Sequence, residues 1–187
     1  MRRLHKLMMV PALVVGFGAV GATSASADPS KYDFHAGDGF MGIESPDVAS
    51  SSDGSTITIQ ATGSLHVTSG KASSTLGTFV HRNADGSEAA SGTFTVTGLQ
   101  SFASFGCGVA GGQPIPANLC GGYAVLSIHL VAHPASGGTA ELNGVLGIDC
   151  ALGDHVPPGA QEGIVTNVPG VINFDTPVSG ETVFVLK

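Results

Sequence analysis

No tryptophan occurs among the 187 residues, and there are only two tyrosines, Tyr32 and Tyr123. Surfaces that stack sugar rings or unpaired bases are built from several such side chains, so those modes of recognition are disfavoured. Positive charge is scarce as well, with seven Lys and Arg against 14 Asp and Glu. Nucleic acid is bound by clustered basic side chains that displace phosphate counterions, and no cluster exists here. An anionic membrane surface is disfavoured on the same ground. Helical periodicity is missing: past residue 27 no stretch keeps a 3.6-residue apolar repeat for three turns. Nor is there a G-x-S-x-G elbow, an H-E-x-x-H pair, a P-loop or a Cys-x-x-Cys. Asp38, Asp53 and Asp85 lie beside glycine in turns, without the spaced oxygen ligands of a calcium loop. No metal or cofactor is expected.

The first 27 residues have the order of a secretory signal peptide. Arg2, Arg3 and Lys6 precede an apolar run from Leu7, and Ala25-Ser26-Ala27 is a small-residue cleavage site. The apolar run is shorter than a membrane-spanning helix and is broken by Pro11. The letters GFGAVG at 16–21 satisfy G-x-G-x-x-G, but they fall inside this signal and carry no dinucleotide site. Cleavage leaves residues 28–187, enough for one domain with a sizeable core. It also leaves only Lys31, Lys71, Arg82 and Lys187 as basic residues, for a net charge near −10. The closing "ETVFVLK" reads as a final strand. The expectation is a secreted, extracellular, acidic monomer with no membrane attachment after cleavage.

Within 28–187 the apolar residues alternate, and Gly, Pro and Asn-Ala-Asp-Gly clusters punctuate them at short intervals. That pattern predicts an all-β, single-domain antiparallel sandwich or barrel of about eight to nine strands. A polar lead-in over 28–54 is expected to hold a first strand near Phe40–Glu44. In "TITIQATGSLHVT" (56–68), Ile57, Ile59, Ala61, Leu65 and Val67 share one side, and Gly63 suggests a bulge or bend. Asp85-Gly86 and Pro134–Gly138 mark two hairpins. The strand 123–133 turns Ala124, Leu126, Ile128, Leu130 and Ala132 to the core. "IVTNV", "GVINF" and "GETVFVL" complete the strands.

Several segments, "GTFVHRNADGSEAASGTFTVTGLQSF", "GGYAVLSIHL", "LNGVLGIDCALG", "PPGAQEGI" and "NFDTPVSGETVFV", cover roughly residues 76–187. In order and wording they resemble a loose group of uncharacterised small secreted proteins from actinobacteria and fungi. The resemblance implies an exported single domain. It implies no activity for any residue, since no catalytic motif defines the group.

Three places could carry chemistry. His129 and His133 share the outer face of their strand, ~13 Å apart at ~3.3 Å per residue, too far to clamp one metal ion. Pairing across the Pro134–Gly138 turn sets His129 near Asn143 and His133 near Thr139, with Glu141 diagonally between the two histidines, so that His129, His133 and Glu141 are the ligand-binding candidates. The loop "DCALGDHVPPGAQE" collects Asp149, Asp154, His155 and Glu162, the candidates for acid–base catalysis. Of three cysteines, Cys107 and Cys120 flank a Gly/Pro loop and form the favoured disulfide. Cys120–Cys150 is the rival, because Gly122 falls opposite Cys150. The leading expectation is a non-enzymatic binding or surface-associated module. The alternative is a small hydrolase or cyclase using the 149–162 loop.

Overall fold

The computed structural model describes residues 30–42 and 46–187, so the 1–27 signal lies outside the described residues. The strands are β1 (Lys31–Ala36), β2 (Asp47–Ser50), β3 (Thr56–His66), β4 (Lys71–Ser74), β5 (Gly77–Arg82), β6 (Glu88–Cys107) and β7 (Val109–Ala110). They continue as β8 (Gln113–Pro114), β9 (Leu119–Pro134), β10 (Ala140–Cys150), β11 (Gly163–Val168), β12 (Ile172–Phe174), β13 (Thr176–Ser179) and β14 (Thr182–Leu186). Eight of these are five residues or longer, and the other six are short pieces at edges and turns. The protein is all-β, and every strand pairing is antiparallel.

The pairings close on themselves. β1 pairs with β3, β3 with β5, β5 with β6, β6 with β9, β9 with β14, and β14 with β1. A closed circuit leaves none of its own strands as a bare edge. From it β10, β11 and β12 extend beyond β9, and β2 and β13 extend beyond β3. β3 belongs to both parts because its partners change along its length. Thr56–Gln60 pair with β5, and 61–66 pair with β1.

The inward parity of each long strand supplies the core. On β9, Ala124, Leu126, Ile128, Leu130 and Ala132 are all buried, as the alternation predicts. On β3 the buried set is Ile57, Ile59, Ala61 and Leu65. Tyr32, Phe102 and Phe184 form an aromatic cluster across β1, β6 and β14, with ring centroids 4.9, 5.1 and 6.5 Å apart. Tilted and edge-on ring pairs of this kind add about 0.5–1.5 kcal/mol each beyond the area they bury.

Two local expectations are corrected. Of the expected strand at Phe40–Glu44, the described part, Phe40–Gly42, is a 3₁₀ turn, preceded by Gly39 at φ 74° and ending on Gly42 at φ 77°. The strand lies upstream in "KYDFHA", where Tyr32, Phe34 and Ala36 alternate into the core. Gly63 makes no bulge, and the β1–β3 register runs through it unbroken. A side chain is excluded there by the Ser73 carbonyl oxygen on β4 and the Phe34 ring, which a Cβ would meet at 2.2 Å and 2.5 Å. Gly63→Ala is therefore expected to cost about 1–3 kcal/mol by overpacking, read as a lower urea midpoint.

The Gly/Pro loop after β6 is a small hairpin, β7–β8, turned by Gly111 and Gly112 at φ 54° and 78°. Cys107 and Cys120 lie directly opposite each other on β6 and β9 and are joined as a disulfide at its base. The alternative partner, Cys150, is a free, buried thiol. It faces Gly122 as the register predicts, and burial pushes it up to about 12. At that value it is an inert part of the core. No helix among the described residues is long and apolar enough to cross a membrane.

Candidate functional site

The β9–β10 register matches the expected one: Val131 opposes Glu141 and Asn143 opposes His129. His129 Nδ1 lies 3.3 Å from Asn143 Oδ1, and its Nε2 lies 3.8 Å from the well-exposed carboxylate of Glu141. His133 meets Thr139 Oγ1 at 3.3 Å. Each histidine thus has its own partner. Exposed pairs of this kind are worth little in water.

The four acid–base candidates of the 149–162 loop are divided. Asp154 and His155 pair with each other at 2.6 Å, with side chains 60% and 77% exposed. Glu162 is turned inward and fully engaged. Its Oε2 accepts from the Ala151 N–H at 2.7 Å, and its Oε1 accepts from the N–H and hydroxyl of Thr182 at 2.7 and 2.8 Å. Burial raises the Glu162 carboxyl above its ordinary value even though those donors pull the other way. Asp149 points into a different recess of about 220 Å³, shared with Tyr123 and Asp175. Its Oδ2 accepts from the Gln161 N–H at 3.1 Å, while Oδ1 is buried without a partner. Burial raises the Asp149 carboxyl, and it raises the Tyr123 phenol with help from the Asp149 charge. No group of three or more His, Cys, Asp or Glu among the described residues could hold a metal ion.

The most distinct cavity is elsewhere. The inward parity of β5 runs Gly77, Phe79, His81, and that of β9 ends Leu130, Ala132, Pro134. β10 adds Ala140 and Leu142, β6 adds Ala90, and Ile57 comes from β3. Over them folds the β11–β12 hairpin, whose Val168-Pro169-Gly170-Val171 turn is closed by the Val171 N–H on the Val168 carbonyl at 3.0 Å. Proline followed by a glycine at φ 76° suits a type II turn. Val168, Ile172 and Phe174 face inward, and together these elements enclose about 280 Å³. Val171 lines the same space while remaining 61% exposed, so it stands where the cavity opens.

Every lining residue but one is apolar. The exception is His81, whose ring packs edge-on against Phe174 at 5.2 Å between centroids. Its Nε2 is buried with no hydrogen-bond partner. Burial holds its imidazole below the ordinary value, with the Asp53 charge opposing weakly, which favours the neutral ring. Ligand pockets typically combine an apolar lining with a few fixed polar groups, from about 300 Å³ upwards. At about 280 Å³ this cavity falls just below that range.

No family model, curated protein or solved structure gives a significant match to this chain. Its function must be argued from the geometry.

The cavity was not among the sites read from the sequence. One signal for it was present. In "GTFVHR" the alternation that buries Phe79 places His81 on the same face, so an imidazole on an apolar parity was visible. What it faces was not, because its neighbours come from β9, β10 and β12, up to 93 positions away at Phe174.

Proposed function

We propose that this protein is an exported, non-enzymatic binding module that takes a small apolar molecule into the cavity between β5, β9, β10 and the β11–β12 hairpin. The observation that carries this reading is the lining: apolar side chains from seven strands around about 280 Å³, with the His81 ring as the one polar side chain among them. For scale, an engineered apolar cavity of ~150 Å³ admits benzene. Export is supported by the signal-like leader and by a disulfide that suits an oxidising compartment. A binding role rather than catalysis is supported by the division of Asp149, Glu162 and the Asp154–His155 pair among separate surroundings. Acid–base partners must reach one substrate together.

The test is titration with 1-aminoanthracene, an uncharged dye that brightens in apolar surroundings. The wild-type protein is expected to bind it saturably at one site. Ala132→Leu, which grows a side chain into the cavity from β9, should weaken binding at least tenfold while the thermal midpoint stays within a few degrees. Ala140→Leu does the same from β10 and guards against a variant that folds poorly. Dye binding that is absent, or indifferent to both substitutions, would sink the proposal.

A further inference from the structure

We propose a second binding site, on the outer surface at the His66 end of β3, which takes a phosphate or sulfate ester of a sugar. It is independent of the apolar cavity, whose Ile57 lies at the opposite end of the same strand.

Basic residues are scattered along the sequence, and the fold gathers them. Residues 28–187 contain Lys31, Lys71, Arg82 and Lys187 and no other Lys or Arg. Lys31 on β1 lies directly opposite His66 on β3, and His66 lies directly opposite Lys71 on β4. Lys187 follows β14 beside them, its N–H donating to the Lys31 carbonyl at 3.2 Å. Facing residues of paired strands project from the same side, with Cβ atoms ~4.5–5.5 Å apart. Lys31, His66 and Lys71 are all exposed, on the parity opposite the buried Tyr32 and Leu65. The acidic group beside this row is Asp33, and it is already engaged by Lys187 Nζ at 2.5 Å and the Ser64 hydroxyl at 2.8 Å. Among the described residues neither Lys31 nor Lys71 forms an ion pair. Two uncompensated ammonium groups thus flank one imidazole, on a chain whose net charge is near −10. Cations this close repel each other, and an anion held between them relieves that repulsion.

Beside the row is an open groove of about 610 Å³. It exists because β4 and β6 are not bonded as strands. Where they part, the Val96 N–H donates to the Ser74 hydroxyl at 2.9 Å instead of to a strand carbonyl. His66 and Lys71 line the groove together with Ser69, Ser73 and Thr97. The Ser69 and Thr97 hydroxyls donate to the carbonyls of His66 and Ser127 at 3.2 Å each, which leaves their oxygens as acceptors. Gly70 and Gly98 keep the space open, since a Cβ on either would meet nothing within 4 Å. Cations and hydroxyls around one groove match a ligand that carries an oxyanion and hydroxyls of its own. No Phe, Tyr or Trp lines the groove, so a sugar is held by its hydroxyls, and a nucleic acid finds no such ring on which to stack its bases. The acidic remainder of the surface repels an extended anionic polymer or bilayer, which favours a small molecule.

NMR titration of the ¹⁵N-labelled protein at pH 7.5 tests this with glucose 6-phosphate, glucose 6-sulfate, inorganic phosphate and glucose. Both esters are expected to move the amide signals of residues 66–73 and 97–98, and the tighter of the two names the source of the oxyanion. Glucose 6-phosphate should bind roughly threefold or more tighter than inorganic phosphate, the span of one net hydrogen bond. Lys31→Ala and Lys71→Ala should each weaken the ester roughly twofold to fivefold, as the loss of one exposed charge pair does. Arg82→Ala, opposite Thr56 at the far end of β3, should leave it unchanged. Gly98→Val should reduce the affinity of the ester to that of inorganic phosphate. All four changes fall at exposed or open positions, where substitutions seldom disturb folding. Equal weakening by K31A, K71A and R82A would reduce the effect to the charge of the whole surface and overturn the site. Equal affinity of the wild type for ester and inorganic phosphate overturns the sugar class. Absence of shifts with both esters overturns the proposal, whatever the dye shows at the apolar cavity.

Discussion

Asp47→Asn is expected to make the protein more stable in mildly alkaline solution than the wild type, and to flatten its dependence on pH. Asp47 opens β2, its side chain is fully buried, and neither carboxyl oxygen has a hydrogen-bond partner among the described residues. Gly180 presses against it: a Cβ on Gly180 would lie 2.8 Å from the Asp47 Cγ. Burial, and after it the nearby charges of Glu162, Asp38 and Glu181, push this carboxyl up to about 8 from an ordinary 3.8. The folded chain therefore holds the proton more tightly than the unfolded one. Stability is highest below pH 3.8 as far as this group is concerned, falls as pH rises towards 8, and levels off above. Taking ~1.4 kcal/mol per pKa unit, the fall is on the order of 5 kcal/mol. Asn in place of Asp cannot ionise, so the difference between the two proteins isolates Asp47 from Glu162 and Asp149, whose raised values slope the same way. Urea unfolding at pH 5, 6, 7 and 8.5 measures it. Parallel pH profiles for D47N and wild type would show that Asp47 ionises in the fold as readily as in the unfolded chain, with its carboxyl at an ordinary value.

Glu162→Leu is expected to lose about 3 kcal/mol or more of stability, because each buried donor left without an acceptor costs ~1–3 kcal/mol. The carboxylate ties the start of the 151–162 loop, through Ala151, to the start of β14, through Thr182. The Thr182 hydroxyl also reaches back to the Asp149 carbonyl at 2.7 Å, so one side chain fastens three segments. Glu162→Gln keeps a single carbonyl acceptor and should fall between wild type and E162L. Asp154→Ala and His155→Ala, exposed and paired only with each other, should stay within ~0.5 kcal/mol of wild type. Urea midpoints rank the four variants. An E162L protein as stable as the His155→Ala variant would leave Glu162 without its fastening role.

These contrasts mark what a single sequence exposes. Strand parity and turn chemistry are local, so the β9–β10 register, the buried face of β9 and the contact of His129 with Asn143 could all be read from a few adjacent residues. The grouping of Asp149, Asp154, His155 and Glu162 came from closeness along the chain, whereas the partners each finds in the fold (Gln161 N–H, the Asp154–His155 pair, Ala151 and Thr182) come from folding. A loop can turn successive side chains to opposite sides, and Glu162 satisfies backbone N–H groups that composition never advertises. Asp47 was unreadable for a similar reason. Nothing in "DVAS" sets it apart from a surface aspartate, and its burial comes from Gly37 and Gly180, which fold in from either side of it in the sequence. The cavity depends on side chains from seven strands, and only His81 left a local trace.

The closed circuit of strands also says something about time. β1 lies between β3 and β14, with Tyr32 opposite Leu186 on one side and Leu65 on the other. Lys187 then pairs with Asp33 at 2.5 Å. A chain made from its N-terminus must therefore carry Tyr32 and Phe34 half-covered until residues 182–186 have been added. Pairings that span so much of the sequence are slow to form, since the whole intervening loop must be closed before they are rewarded. The ring stays open until β14 pairs with β1 and β9, and that pairing shuts it.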